Sequence, residues 1–135
     1  TLTDNADGTA ALTGTPNNAQ VGEHSVVLNV TDAANATATQ SFTLTVANTN
    51  DAPAFTSAPQ EDATEDAAYS YAITTSDPDS GDTLTITATT KPDWLTLTDN
   101  ADGTATLTGT PTNAQVGEHS VVLNVTDASN ATSAL

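Results

Sequence analysis

The most informative features of this 135-residue sequence are the residues that it lacks. It contains no cysteine and no methionine, which excludes disulfides, thiolate metal sites, thiol catalysis and sulfur oxidation. Lysine and arginine together occur once, against 17 aspartate and glutamate residues, and the formal net charge is −16. Nucleic acids and anionic membranes attract basic side chains, so this balance argues against both as partners. It favours binding of cations instead.

Aromatic residues and long apolar runs are also scarce. Aromatic side chains make up 4% of the chain, too few for a broad carbohydrate-binding surface. No apolar run is long enough to insert into a membrane and no signal peptide opens the chain, so we expect an excerpt from a longer protein. The abundant residue is threonine, with 29 copies. Because β-branched side chains fit a pleated surface, this composition predicts an all-β fold.

A long internal repeat dominates the sequence. Residues 1–40 recur as residues 96–135, and 34 of the 40 residues are unchanged at this shift of 95 positions. Units of a solenoid are only a few tens of residues long, so this period is too long for one. It is typical of independently folding modules arranged in tandem.

Short stretches with alternating apolar residues predict the strands of one module. Turn-forming sequences separate them, among them Asp77–Gly81 and Asn100–Gly103. With a short strand at 55–58, about seven strands fall in one period, which is the number and spacing of an aligned, two-sheet β-sandwich. The alternating sets are Tyr69, Tyr71 and Ile73; Leu84, Ile86 and Ala88; Leu95 and Leu97; Ala105 and Leu107; Val121, Leu123 and Val125; and Phe42, Leu44 and Val46.

The phase of the repeat predicts two such sandwiches in tandem, both incomplete. Residues 1–47 would supply the last four strands of one module, residues 48–53 a linker, and residues 54–135 the next module without its final strand. A missing strand leaves an unpaired edge, and such edges recruit strands from other chains. We therefore expect contacts with neighbouring repeats and self-association through strand donation.

Several segments resemble known families. The linker 48–55 looks like the calcium-binding linker of cadherins, the run 75–84 like their Asp-x-Asp turn, and the run 125–127 like the strand end that carries a third acidic ligand. The stretch 92–120 is similar to the dystroglycan-type cadherin-like and Ig-like repeats of large bacterial surface proteins. This resemblance implies a seven-stranded Greek-key β-sandwich of the cadherin or Ig type, repeated in tandem on the outside of a bacterium.

The cadherin resemblance also implies a calcium site between modules. Ca²⁺ takes about six to eight oxygen ligands. Asp77 and Asp79, two residues apart across a turn, can direct their carboxylates at one point. A bound cation would remove the repulsion among the carboxylates and fix the angle between the modules. The implied ligands are Asn50, Asp51, the Ala52 carbonyl, Asp77, Asp79 and Asp127.

The same residues also allow a simpler interpretation, in which Asp77–Gly81 is only a turn and residues 50–53 only a polar linker. An EF-hand is excluded because Ala88 stands twelfth from Asp77, where that loop requires glutamate. His24 and His119 share one repeat position, with no second histidine in either module. We therefore expect neither a zinc site nor an active site, and no enzyme.

The leading hypothesis is a non-catalytic structural repeat of an extracellular bacterial adhesin, giant secreted protein or filament, stiffened by Ca²⁺ at its junctions. One alternative is a polysaccharide-binding cadherin-like module, in which Trp94 would stack on a sugar ring. The competing interpretation of Trp94 is an anchor in the core at a corner of the sheet. A second alternative is homophilic adhesion or a strand-swapped assembly.

Overall fold

The computed structural model describes all 135 residues and contains eleven β-strands, two short 3₁₀ helices and no α-helix. The expected all-β class is thereby confirmed. The chain divides into two compact units, unit 1 from Thr1 to Thr49 and unit 2 from Asn50 to Leu135. No helix has the length and apolar character that crossing a membrane requires.

Unit 1 consists of two antiparallel hairpins. Strand β1 (Leu2–Asp4) pairs with β2 (Ala10–Leu12), and β3 (Gly22–Thr31) pairs with β4 (Thr37–Val46). The second hairpin is paired along its full length, from Gly22 opposite Val46 to Thr31 opposite Thr37. A 3₁₀ turn at Asn18–Gln20 lies between the hairpins. No side chain of unit 1 is buried, and most of its larger apolar residues are exposed.

Unit 2 is a two-sheet sandwich of seven strands. One sheet has the order β5-β6-β9-β8 and the other β11-β10-β7. In chain order these are the first, second, fifth and fourth strands against the seventh, sixth and third, the arrangement of a seven-stranded Ig domain. The strands are β5 (Ala54–Phe55), β6 (Tyr69–Ser76), β7 (Thr85–Thr90), β8 (Leu95–Asp99), β9 (Thr104–Gly109), β10 (Val122–Thr126) and β11 (Thr132–Ala134).

The core of unit 2 lies between its two sheets. Alternate residues of each strand face inward because successive side chains of a strand point to opposite faces. The first sheet contributes Tyr71, Ile73, Leu95, Ala105 and Leu107, and the second contributes Ile86, Leu123 and Val125. All eight belong to the alternating sets found in the sequence. These sets therefore identified the inward face of β6, β7, β8, β9 and β10 correctly.

The segment 100–103 forms the turn between β8 and β9, as the sequence predicts. Ala101 and Gly103 have φ angles of 58° and 81°, in the left-handed region. The Asp99 carboxylate accepts hydrogen bonds from the backbone N–H of Ala101 at 3.0 Å and from that of Ile86, in the other sheet, at 3.0 Å. This aspartate thus joins the turn to β7.

The structure differs from the expected boundary at the end of unit 2. Residues 54–135 were expected to lack their final strand, but Thr132–Ala134 form β11 and pair with β10. They correspond to Thr37–Thr39, the first three residues of β4. The sequence pattern placed this strand too late because its apolar alternation begins only at Phe42, whereas its first residues are polar. Similarly, the first strand of unit 2 is Ala54–Phe55 rather than residues 55–58.

Candidate metal centre

Three carboxylates meet at one end of unit 2. Asp77 follows the last residue of β6, Asp127 follows the last residue of β10, and Asp82 lies in the loop that leads to β7. One carboxylate oxygen from each residue lies within 4.8 Å of the other two. The strand ends of both sheets therefore bring together three anionic groups that are separated by up to 50 residues in the sequence.

Asp77 has an oxygen without a partner inside this cluster. Its Oδ1 accepts a hydrogen bond from the backbone N–H of Asp79 at 2.8 Å. Its Oδ2 is buried and has no hydrogen-bond partner. Removing a carboxylate oxygen from water without a compensating hydrogen bond is costly, so a native structure normally provides a partner of some kind. A cation bound among the three carboxylates would be such a partner.

Asp127 is the most buried of the three, with 5% of its surface exposed. Its Oδ1 accepts hydrogen bonds from the backbone N–H groups of Ser129 at 2.9 Å and Ala131 at 2.8 Å. Its Oδ2 accepts one from Asn50 Nδ2 at 2.8 Å. The bond from Asn50, followed by those from the backbone, lowers the pKa of Asp127 below its usual value. The group is therefore held in its anionic form, the form that binds metal.

Asp79, in the loop between β6 and β7, is hydrogen-bonded to the segment through which the chain enters unit 2. Its side chain is 7% exposed, and its Oδ2 accepts a hydrogen bond from the backbone N–H of Asp51 at 2.7 Å. Asn50 and Asp51 are thus both bonded to the aspartates at this end of the sandwich. Pro53 follows as a fully buried residue, and its carbonyl accepts a hydrogen bond from the Ser133 hydroxyl at 2.6 Å.

The predicted ligands fall into two groups. Asn50, Asp77, Asp79 and Asp127 are linked by hydrogen bonds or by close carboxylate oxygens. Asp51 and Ala52 are exposed. Asp51 is joined to this group through its backbone, whose N–H donates to Asp79 and whose carbonyl accepts a hydrogen bond from Asn50. Asp79 stands outside the group of three close carboxylates.

Sequence reasoning missed Asp82 as a member of the cluster. Its Oδ1 accepts hydrogen bonds from the backbone N–H of Thr83 at 2.8 Å and, from across the site, that of Ala128 at 3.4 Å. A signal was present, since Asp82 is the third aspartate of a six-residue segment that begins at Asp77. The turn interpretation assigned no role to it because residue spacing alone does not show how the loop folds back.

No lysine or arginine balances the charge of this cluster. The chain has one basic residue of these two types, Lys91. Its ammonium donates a hydrogen bond to the Leu95 carbonyl at 2.8 Å, at the start of β8. The histidines are also engaged elsewhere, since Nε2 of His24 and of His119 each lies 2.7 Å from a backbone carbonyl four residues earlier. The cluster can therefore attract a hard cation through its oxygens.

Trp94 packs at a different place, beside the core of unit 2. Its ring meets those of Tyr69 and His119 edge-on, with centroid separations of 6.0 and 6.1 Å. Gly109 lies against it so closely that a Cβ at this position would stand 2.3 Å from the Trp94 carbonyl oxygen. The indole is partly buried, and its Nε1 is buried without a hydrogen-bond partner.

The two units were compared with known families and proteins. The family model described as "Putative Ig domain" matches residues 6–47 and residues 52–135. The chain belongs to this family. Both units are therefore Ig-like, and the second match covers the seven strands whose sheet order is that of an Ig domain. No curated protein matches the chain.

Solved structures give a more specific likeness. The endo-fucoidan hydrolase MfFcnA4 from glycoside hydrolase family 107 is 33% identical over 99% of this chain, with a TM-score of 0.55. The endo-fucoidan hydrolase MfFcnA9 of the same family is also 33% identical over 99% of the chain, with a TM-score of 0.52. The Ig domains of this chain span only 20% and 24% of those two proteins.

Proposed function

We propose that these Ig domains are a non-catalytic structural repeat of an extracellular or bacterial cell-surface protein, such as an adhesin or filament, stiffened by Ca²⁺. The proposed ligands are the carboxylates of Asp77, Asp82 and Asp127, with the Asn50 amide beside them. One observation carries the proposal: Asp77 Oδ2 is buried without a hydrogen bond, next to two further carboxylates. The position of the cluster, after a linker and at strand ends, is the one that the cadherin resemblance implies.

The donor set favours calcium over other metals. Ca²⁺ binds carboxylate, amide and backbone oxygens in flexible geometry, whereas Mg²⁺ requires near-ideal octahedral geometry and keeps much of its water. Zinc prefers cysteine and histidine, but the chain has no cysteine and both histidines contact backbone carbonyls. Extracellular modules bind Ca²⁺ with dissociation constants of about 10⁻⁴ to 10⁻³ M. Such a site would fill outside cells and stay empty inside them.

The proposed ion would act on the segment that enters unit 2. Asn50 and Asp51 are hydrogen-bonded to Asp127 and Asp79, so an ion bound by the cluster would reinforce these attachments. Only residues 47–49 would then separate β4 from the anchored segment. Shorter free linkers make a long array of repeats more resistant to bending. Such an array would hold a domain elsewhere in the protein away from the cell surface.

Calcium titration of the whole chain tests this proposal. At about 10 mM Ca²⁺, the stated range of affinities predicts a stabilisation of unit 2 by about 1.4 to 2.7 kcal/mol, seen as a rise in its Tm. Small-angle scattering should show a longer, stiffer particle. Asp77→Asn and Asp127→Asn should abolish both responses, since asparagine retains an oxygen that can accept the existing backbone hydrogen bonds but lacks the charge.

Asp32→Asn is the matched control. Asp32 is the repeat counterpart of Asp127 and accepts the same backbone hydrogen bonds, from Ala34 at 2.9 Å and Ala36 at 2.8 Å. It belongs to no cluster of three carboxylates. This variant should therefore respond to calcium like the unmodified chain. An unchanged Tm and no heat of binding at 10 mM Ca²⁺, about ten times the weakest expected dissociation constant, would refute the proposal.

A second candidate is a polysaccharide-binding module, and the likeness to two endo-fucoidan hydrolases favours it. Affinity electrophoresis in gels that contain fucoidan or xylan distinguishes the candidates. Retardation that Trp94→Ala abolishes, with the fold intact, would support polysaccharide binding. Migration unaffected by either polysaccharide would support the structural repeat. In that case the role of Trp94 would be packing, consistent with its edge-on contacts with Tyr69 and His119.

A further inference from the structure

The sequence contains four copies of the tripeptide Asn-x-Thr in which the middle residue is not proline. They begin at Asn29, Asn35, Asn124 and Asn130. This pattern is the acceptor for N-linked glycosylation, but a chain with 29 threonine residues also forms it without any function. The positions of the four asparagines in the fold distinguish those that an enzyme can reach.

Two of these asparagines lie at equivalent hairpin turns. Asn35 lies between β3 and β4, and Asn130 lies in the corresponding turn between β10 and β11. Both residues are exposed, and neither side chain makes a hydrogen bond within the protein. Thr37 and Thr132, the third residues of the two tripeptides, are exposed as well. The turn is thus accessible both in the hairpin of unit 1 and in the packed sandwich of unit 2.

The conformation of the turn does not by itself require asparagine. Asn35 and Asn130 have φ angles of 64° and 70°, in the left-handed region, where glycine has no steric cost. Asparagine is favoured there when its side chain forms a local hydrogen bond, and these two side chains form none. The carboxylates of Asp32 and Asp127 hold the turns instead, by accepting backbone hydrogen bonds. The two asparagine amides therefore have no structural role in the turn.

The other two asparagines lie within strands. Asn124 is half-buried in β10, which pairs with β11 on one side and with β7 on the other. Asn29 lies in β3, and its Oδ1 accepts a hydrogen bond from the Thr39 hydroxyl at 2.7 Å. A transferase has to bind the whole tripeptide, and backbone that is paired in a ladder is not available for this. These two tripeptides are the expected result of a threonine-rich strand sequence.

We propose that Asn35 and Asn130 are acceptor sites for N-linked glycosylation. The donor is a hexose activated by a diphosphate at C1. Nδ2 of the asparagine forms a bond to C1, the bond from C1 to the diphosphate oxygen breaks, and the diphosphate leaves with the electron pair. The amide loses one proton to a base of the transferase, so no oxidant or reductant is needed. The inference rests on the extracellular setting of the proposed function, because such acceptors are surface loops of secreted proteins.

A sugar at either turn is compatible with the fold. In unit 2 the turn is held by hydrogen bonds from the backbone N–H groups of Ser129 and Ala131 to Asp127, and modification of the Asn130 amide leaves these bonds in place. The two sites are 95 residues apart, which is one period of the repeat. A tandem array would therefore carry one bulky, solubilising group at the same turn of each module.

Glucosylation of the folded chain in vitro tests the proposal. The probe is UDP-glucose with a soluble glycosyltransferase that recognises Asn-x-Thr, and mass spectrometry of peptides locates the product. The chain should gain one glucose at Asn35 and one at Asn130. The initial rate at Asn130 should exceed that at Asn124 at least about a hundredfold, because Asn124 can react only when β10 opens.

A synthetic peptide with the sequence of residues 122–134 is the matched control. It contains Asn124 and Asn130 without the sandwich, so both should react at similar rates. In the whole chain, Asn130→Gln should abolish modification of this turn, and Thr132→Val should do the same while the amide is retained. Asn124→Gln should leave the modification unchanged.

Three results would overturn the proposal. They are a folded chain that gains no glucose at Asn35 and Asn130, equal rates at Asn124 and Asn130 in the folded chain, and a peptide that reacts at neither asparagine. The assay is independent of the calcium titration, so this proposal and the proposed calcium site can fail separately.

Discussion

The two copies of the repeated segment have nearly the same sequence and very different surroundings. Val30 is 66% exposed, whereas its counterpart Val125 is fully buried. Leu12 is 47% exposed, whereas its counterpart Leu107 is 1% exposed. Local geometry is shared, because both copies have the same hairpins and the same 3₁₀ turn. The repeated segment thus determines which of its strands pair, whereas the burial of its side chains depends on strands outside it.

In unit 2, burial comes from the strands that precede the repeated segment. Strand β6 pairs with β9 and brings the β8–β9 hairpin into a four-stranded sheet. Strand β7 pairs with β10 in the other sheet. Ile73 and Ile86 on these two strands are almost fully buried. Unit 1 has counterparts of β8 to β11 only, and two-stranded hairpins alone are marginally stable in water.

The largest contrast should appear in amide hydrogen exchange. Leu28 and Val30 should exchange at least about a hundredfold faster than Leu123 and Val125, because local opening of an isolated hairpin costs much less than opening of a packed core. The measurement is exchange followed by NMR, which compares identical sequences within one sample. Equal protection of the two pairs would mean that the hairpins of unit 1 are as stable as the sandwich.

Truncation of the two leucines of a matched pair should lower the stability of unit 2 but not that of unit 1. Leu107→Ala is expected to lower the free energy of unfolding of unit 2 by about 2–5 kcal/mol, because it leaves a cavity in the core. Leu12→Ala, its counterpart at an exposed position, should change stability by no more than about 0.5 kcal/mol. Urea unfolding of both variants checks this. A similar loss in both would show that Leu12 is packed in solution.

A matched glycine pair gives a smaller contrast. Gly109→Ala places a Cβ 2.3 Å from the Trp94 carbonyl oxygen, so the backbone must shift. We expect a loss of about 1–3 kcal/mol, as for other overpacked cores. Gly14→Ala is the control, since Gly14 is the counterpart of Gly109 and a Cβ there meets nothing within 4 Å. Thermal unfolding that shows equal effects would argue against the close contact at Trp94.

The smallest contrast concerns the hairpin turns, where both units should behave alike. Thr104 donates hydrogen bonds to Asp102 Oδ1 from its hydroxyl at 2.6 Å and its N–H at 3.0 Å, and these lower the pKa of Asp102. The pKa of Asp7 is lowered in the same way by Thr9. Thr104→Val and Thr9→Val should each raise the pKa of the neighbouring aspartate, as NMR titration would show.

The sign of the pH effect follows from the direction of these shifts. A carboxyl group whose pKa is lower in the folded state stabilises that state at a pH above its unfolded value of about 3.9. This contribution is lost as the pH falls through the lower, folded value. The valine variants should therefore lose less stability on acidification. A pKa rise in one unit only would show that the two turns are not equivalent.

Much of the fold could be predicted because its signals are local. Alternation along Tyr69–Ile73 or Val121–Val125 shows which residues share a face, and Pro and Gly mark the turns. The start of β11 could not be predicted in this way, since Thr132–Ala134 is polar and becomes a strand only by pairing with β10. The candidate metal centre was predicted in part, with Asp82 missing, because loop conformation decides which carboxylates converge.

The sequence by itself determined the all-β class, the inward face of β6 to β10, the hairpin turns and the concentration of negative charge, since each depends on neighbours within a few residues. Tertiary structure alone decided that Val125 is buried while Val30 is exposed, and that Asp77, Asp82 and Asp127 meet with one oxygen unpaired. Burial and convergence depend on strands that are distant in the sequence, and identical segments differ wherever those strands are present or absent.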